Sequence, residues 1–429
     1  MKTLILPEED EWVSLCKRPS FTKSDLDEKV REILNRVRTE KDKAIYSYSE
    51  IFDGVKLSDL KVSSEEIGES EFAVPEQIKH AINTARRNIE KFHSSQLFTE
   101  AAVETVKGVK CWRKSIAIEK VGLYIPGGSA PLFSTVLMLG IPARLAGCKE
   151  IFLCTPPGKN GKINPLILYT ANLIGITNIF KTGGAQAIAA MAYGTETIPK
   201  AYKIFGPGNQ FVTKAKEMIQ EEGVAIDMPA GPSEVLVISD EKADAGFIAA
   251  DLLSQAEHGS DSQVIFLTDN AGMIEKVKRE IEIQVEELPR KVIASGALRN
   301  SKLILLPTLR KCIDFSNIYA PEHLIINTSD PHALADRVIN AGSVFLGPYS
   351  CESAGDYASG TNHTLPTNGF ARNYSGVSTD SFLKKITYQE ISAEGIKNLG
   401  PAIEIMAEAE FLNGHKNAVS LRLNSLNNG

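Results

Sequence analysis

The sequence predicts an α/β fold: two doubly wound parallel-sheet units, preceded by a helical segment and followed by a helical tail. Three observations carry this. From Val121 short apolar strands alternate with helices, and nearly every strand runs into a Gly/Pro turn. From Ser233 a second run of the same kind begins. On either side, residues 22–100 and 378–429 show charged or amphipathic helical patterns instead. Strand–turn–helix alternation is what a parallel sheet with crossover helices requires.

Residues 1–20 read as an extended arm closed by Pro19. In SDLDEKVREILNRVRTEKDKAIYSYSEIF, Val30, Ile33, Leu34 and Val37 fall on one helical stripe, behind a Ser24 cap with Glu28 near the first turn. PEQIKHAINTARRNIEKFHSSQ is a second such helix, with Pro75 near its first position. His80 and His93 lie on these helices and read as surface or packing residues.

Four strand–turn–helix steps follow. VGLYI leads through PGGSAP to FSTVLMLGIPARLAG, and IFLCT leads through PPGKNG to PLILYTANLIG. TNIFKT leads through GGAQ to AIAAMAYG, and YKIF leads through GPGN to QFVTKAKEMIQEE. Residues 126–232 therefore read as one domain. None of the turns is a GxGxxG fingerprint, and tight-turn geometry explains most of the glycines. Four such turns on one sheet would nevertheless share an edge, where helix N-termini favour an anionic ligand.

The second run holds SEVLVIS, SQVIFLT, a long charged helix over 271–288, KLILLP, HLIIN and SVFLG. Two units of similar size suggest an internal duplication. After Gly347 the chain turns loop-rich, and from about Ser378 a tail follows. ISAEGIKNLGPAIEIMAEAEFLNGHKNAVSLRLNSL should form two or three helices with little core of their own.

Composition narrows the function. Hydrophobic content of 43% and charged content of 23% over 429 residues are those of an ordinary globular chain of about two to four domains. A net charge of −6 argues against nucleic acid as a partner. Six cysteines, at 16, 111, 148, 154, 312 and 351, include no CxxC pair and read as reduced thiols. No membrane span or targeting segment is evident, so a cytoplasmic protein is expected. GxSxG and HExxH are absent, which sets aside the usual serine-hydrolase and helical zinc-protease readings.

What chemistry remains is dispersed. In DLLSQAEHG, Gln255 and His258 share one helix face, where an imidazole and an amide oxygen can hold a divalent metal. Two ligands do not make a site. His332 opens a helix after a proline and reads as structural. Glu322 and His323 are adjacent at the start of a strand, so one of them could simply face solvent. Asp356 and His363 lie in the Gly/Ser-rich loop, and Glu410 and His415 lie in the tail.

The runs VGLYIPGGSAPLFSTVLM, GGAQAIAA, IFGPGN, IDMPAGPSEVLV, DLLSQAEHG, APEHL, SAGDYASGTNHTLPT and HKNAVSLR resemble, in order, the histidinol dehydrogenase family. The resemblance covers nearly the whole chain. It implies two incomplete Rossmann-like doubly wound domains of the aldehyde-dehydrogenase-like kind. These would be residues 21–125 plus 233–377, carrying the zinc and catalytic residues, and 126–232 on the NAD side. An arm over 1–20 and a dimerisation tail over 378–429 would complete the chain. The implied cofactors are NAD and one Zn²⁺ per subunit, and the implied ligands are L-histidinol and histidinal. By resemblance, Gln255, His258, Asp356 and His415 ligate zinc, and Glu322 and His323 are the acid–base pair. Ser233 and Glu410 join these six as substrate contacts, and Tyr124, Gln186 and Asn209 contact NAD. The family is an intertwined homodimer, so the tail's Glu410 and His415 are expected to complete the partner's site. Asn368 is the one local departure, where relatives often carry a smaller residue.

The implied chemistry is an alcohol oxidised to an acid by two hydride losses and one water addition. His323 would take the alcohol proton and Glu322 would activate the water, since no cysteine stands in a matching motif for a thiohemiacetal route. A relative acting on another polar alcohol and a catalytically idle binding protein are the competing expectations.

Overall fold

The computed structural model describes residues 1–19, 24–127 and 130–427. Among these, five strands form one wholly parallel sheet: Asn178–Lys181, Glu150–Thr155, Lys120–Tyr124, Lys203–Phe205 and Ala225–Ile226, in that spatial order. Numbered along the chain from Lys120–Tyr124, the order is 3-2-1-4-5. Connections therefore wind outward on both sides of the central strand and cover both faces with helices. That double cover is why IFLCT and its counterparts are continuous apolar runs rather than alternating ones.

A second sheet has the order Lys2–Ile5, Lys302–Leu305, Gln263–Thr268, Glu234–Ser239, His323–Asn327 and Ser343–Leu346, again all parallel. Numbered from Glu234–Ser239 it too winds 3-2-1-4-5, with the N-terminal strand added at one edge. The shared winding supports the suspected duplication. Strand alternation is visible in the packing: Val235 and Val237 enter one core with Leu252 and Phe266. Leu236 and Ile238 enter the opposite one with Ile265 and Phe315.

The structure departs from expectation in three places. The arm is a sheet component: Lys2–Ile5 pairs in register with Lys302–Leu305, and Trp12–Leu15 is a helical turn whose Trp12 is buried against Phe315. Its KTLI run is too short to announce a strand. The tail does contain two helices, Ala393–Ala409 and Asn413–Asn427, but they follow a nine-residue strand, Leu383–Ile391. That strand pairs antiparallel with Val109–Ala117, which pairs in turn with Val103–Val106. Directly opposed Trp112 and Tyr388 stack with centroids 5.5 Å apart, the aromatic cross-strand pair that sheets favour.

The third departure concerns grouping. The expected domain of 21–125 with 233–377 is not how the helices pack. The stripe of Val30, Ile33, Leu34 and Val37, on helix Ser24–Glu40, shares one core with Ile188, Val212 and Ile219 of the five-stranded unit. Ile82, Ala85 and Ile89, on helix Glu76–Ser94, share the other core of that unit with Leu153 and Phe205. Lys120–Tyr124 is itself that sheet's central strand. An apolar stripe declares that a face will be buried but not against which sheet. The Ser24 cap lies outside the described side chains. His93 is fully buried and His80 exposed, as packing and surface residues should be.

Candidate active site

Two cavities adjoin one another, and Pro126 and Asn209 line both. The larger, about 870 Å³, lies at the C-terminal ends of the five-stranded sheet. The smaller, about 530 Å³, reaches from there to the N-terminal ends of the six-stranded sheet. The two units thus turn opposite edges toward the same cleft.

Tyr124, Gln186 and Asn209 all line the larger cavity. Tyr124 ends the central strand, and its hydroxyl accepts from the Gly184 N–H at 3.1 Å at the start of helix Gly184–Tyr193. Burial pushes its phenol up to about 12, so it stays a neutral hydrogen-bonding group. Asn209 caps helix Gln210–Glu221, accepting from the N–H groups of Phe211 and Val212 at 3.0 and 3.2 Å. The turn before it needs glycine: Gly206 has φ of +135°, and a Cβ there would stand 2.1 Å from the Tyr124 carbonyl oxygen. A buried Lys216–Asp227 pair braces that turn, with Lys216 donating to the Gly206 oxygen and Asp227 accepting from its N–H.

Ser233, Gln255, His258, Glu322, His323 and Asp356 line the smaller cavity together. Helix Ala245–Ala256 presents Gln255 and, just past its end, His258. Glu322 and His323 are both buried, so neither is a bystander. The Glu322 carboxylate accepts from the Glu234 N–H at 2.8 Å and from the Gln255 amide at 3.3 Å. Gln255 Nε2 also meets His323 Nδ1 at 3.0 Å and donates to the Glu234 carbonyl at 3.1 Å. With the amide nitrogen engaged in this way, Oε1 is the atom Gln255 has for a ligand.

Charge is concentrated here. Burial raises the Glu322 carboxyl to about 8 against the opposing pull of His323. Burial alone would lower His323, but the carboxylates of Glu322 and Asp356 outweigh it and lift the imidazole to about 10. Burial also raises Glu352, one helical turn before Asp356, to about 7. It lowers His258 and His363 instead, since both are imidazoles.

The side chains fit a divalent metal. Ligating atoms of His258, Glu352 and Asp356 lie within 4.8 Å of one another. Asp356 Oδ1 and His323 Nε2 are buried without hydrogen-bond partners among the described residues, facing each other at 3.4 Å. An orphaned carboxylate oxygen beside an imidazole and an amide is a donor set that suits a borderline ion such as zinc.

Of the other candidates, His363 and Asn368 also line the smaller cavity. His363 is a bridge: Nδ1 meets the Asp356 carbonyl at 2.9 Å and Nε2 meets Thr135 at 3.1 Å, tying the loop to helix Phe133–Ala146 of the other unit. Asn368 sits at φ of 55°, where asparagine is tolerated, and its N–H donates to Glu234 at 2.8 Å. Glu410 and His415 are exposed on the tail and line neither cavity. No cysteine lines either cavity among the described residues. Sequence reasoning passed over Arg18, Glu234 and Glu352, because buried ions carry no local pattern that separates them from surface ones.

Two doubly wound α/β units that share a cleft, with a buried acid–imidazole couple on its wall, have the layout of an enzyme's active site. A histidinol dehydrogenase profile matches residues 16–423. A histidinol dehydrogenase from Bacteroides thetaiotaomicron is 58% identical over 426 residues, covering 99% of this chain and 100% of its own. One from Yersinia pestis is 51% identical over 423 residues, covering 98% and 95%. The crystal structure of histidinol dehydrogenase from Elizabethkingia anophelis superposes with a TM-score of 0.98 at 60% identity, covering 100% of this chain and 99% of that one. The chain belongs to the histidinol dehydrogenase family.

Proposed function

We propose that this protein oxidises L-histidinol through histidinal to L-histidine with two NAD, in the smaller cavity. The carrying observation is that Ser233, Gln255, His258, Glu322, His323 and Asp356, dispersed in sequence, line one cavity. That cavity adjoins the one lined by Tyr124, Gln186 and Asn209. Gln255, His258 and Asp356 would hold zinc, with His415 supplied by the tail of a partner copy in an intertwined homodimer. Exposure of Glu410 and His415 supports that reading, since neither lines either of these cavities in its own chain. The site is a cytoplasmic enzyme's in this reading.

When bound, zinc would fix the substrate's imidazole and amine and so aim its alcohol carbon. NAD in the larger cavity would receive each hydride. His323, in its neutral form, takes the alcohol proton as the first hydride leaves; its raised proton affinity makes that form an alkaline one. Histidinal then adds water, whose proton passes to Glu322, and the hydrate gives up the second hydride to yield the acid. Glu322 suits the second task because burial keeps its proton affinity far above an ordinary carboxylate's. Gln255, bonded to both Glu322 and His323, holds the pair in register.

NADH formation from L-histidinol by the purified protein tests the reading. Two NADH per L-histidine released is expected; no NADH with this substrate, but activity on another amino or sulfonated alcohol, would redirect it.

A further inference from the structure

The larger cavity carries a feature that none of the predicted contacts uses. Among its lining residues Asp53 is the one carboxylate, and Lys159 and Lys162 line the same cavity. Asp53 does not belong to the sheet. It closes the wide helical turn Ser49–Asp53, and Gly54 follows in the left-handed region at φ of 69°. Its Oδ2 is buried and has no hydrogen-bond partner among the described residues. Burial, with no opposing partner, pushes the carboxyl up to about 6. An unpaired carboxylate oxygen is costly to bury, and a ligand whose O–H donors draw the carboxylate toward the cavity removes that cost.

In doubly wound sheets the adenosine ribose is commonly read by an acidic residue beyond the second strand. The second strand here, Glu150–Thr155, runs into Pro156, Pro157, Gly158, Lys159 and Asn160, with no acid among them. The nearby lysines would by themselves welcome a phosphate.

We propose that Asp53 is the residue that makes the site select NAD over NADP, by accepting from the ribose hydroxyls and repelling a 2′-phosphate. The inference rests on the dinucleotide reading of the larger cavity. A ribose diol offers two O–H donors to one carboxylate, whereas a 2′-phosphate would set about two negative charges against it.

The test compares kcat/KM for NAD and NADP, with L-histidinol, in the wild type, D53N and D53E. D53N should lose about ten- to a hundredfold in kcat/KM for NAD, chiefly through KM, as a charged hydrogen bond is removed. Its preference for NAD over NADP should collapse by at least that factor, and D53E, which keeps the charge, should hold the preference. A merely structural role would lower both cofactors' kcat/KM together. An unchanged ratio in D53N, with NAD turnover intact, overturns the assignment. Wild-type protein that turns over neither dinucleotide would instead overturn the dinucleotide reading, and Asp53 with it.

Discussion

Arg18 and Glu234, 216 residues apart, form a buried two-pronged ion pair with both N···O distances at 2.9 Å. The pair reaches the proposed acid–base couple. The Glu234 N–H donates to the Glu322 carboxylate, and Arg18 also donates to the Tyr319 carbonyl at 2.7 Å while lying over that ring at 3.7 Å. Ala320, held at φ of 54°, then leads to Glu322. Removing the guanidinium in R18M strands a buried carboxylate, so a loss of about 3–5 kcal/mol is expected. Denaturant unfolding measures it. R18M/E234Q should recover part of the loss, and no recovery would argue that Arg18 acts through packing instead.

Glu322→Gln separates the two oxidations. It keeps the shape and the hydrogen bond from Glu234 but cannot take a proton from water. Conversion of supplied histidinal should slow by about 100- to 10,000-fold, the usual worth of a positioned base. Oxidation of L-histidinol to histidinal should suffer far less. Rapid-quench assays of each step decide the matter, and equal losses in both would remove Glu322 from the water-activating role.

Metal removal has an activity readout and a stability readout. Exhaustive chelation should abolish turnover, and added zinc should restore it. Because an ion bound only by the folded state stabilises it, the melting temperature should fall on chelation and recover with zinc. H258A should blunt that recovery. Turnover that survives complete chelation would exclude the metal role.

Asp53 also predicts a pH effect on the ligand-free protein. Its folded-state value of about 6 exceeds the ordinary 3.8, so the native state holds the proton more tightly than the unfolded one. That contribution favours folding below 3.8 and is lost as pH rises through about 6. D53N should therefore melt above the wild type at neutral pH, and the two should converge below about pH 4. Parallel melting curves across that window would show that Asp53 is not held in this way.

The sequence disclosed the parts of the fold that periodicity controls. Val30, Ile33, Leu34 and Val37 announced a buried stripe, and the continuous apolar runs of both sheets announced strands covered on two faces. It did not disclose that the stripe belongs with Ile188 and Val212, because partner choice is tertiary. Nor did Lys2–Ile5 declare itself, since a four-residue edge strand gains its identity from Lys302–Leu305. In the site, Glu322 and His323 drew notice as neighbours, yet strand alternation suggested that one would face away. Glu322 escapes that rule because it precedes the strand and is turned inward by the Glu234 N–H. The convergence of Gln255, His258 and Asp356 on that pair was legible only by likeness to a family. Spacing along a chain carries no distance across a fold.

The opposed edges of the two sheets have an electrical consequence. In βα units the helices begin where strands end, so Gly184–Tyr193 and Gln210–Glu221 start at the larger cavity and turn their positive poles on it. Ala245–Ala256 and Leu309–Tyr319 finish at the smaller one, just before His258 and Glu322, and present negative poles. A potential gradient therefore runs across the cleft before any ligand enters, favouring negative charge at one wall and positive charge at the other. Copies facing the same way would have made two like pockets. Turned against each other, they make one polarised site that neither half could form.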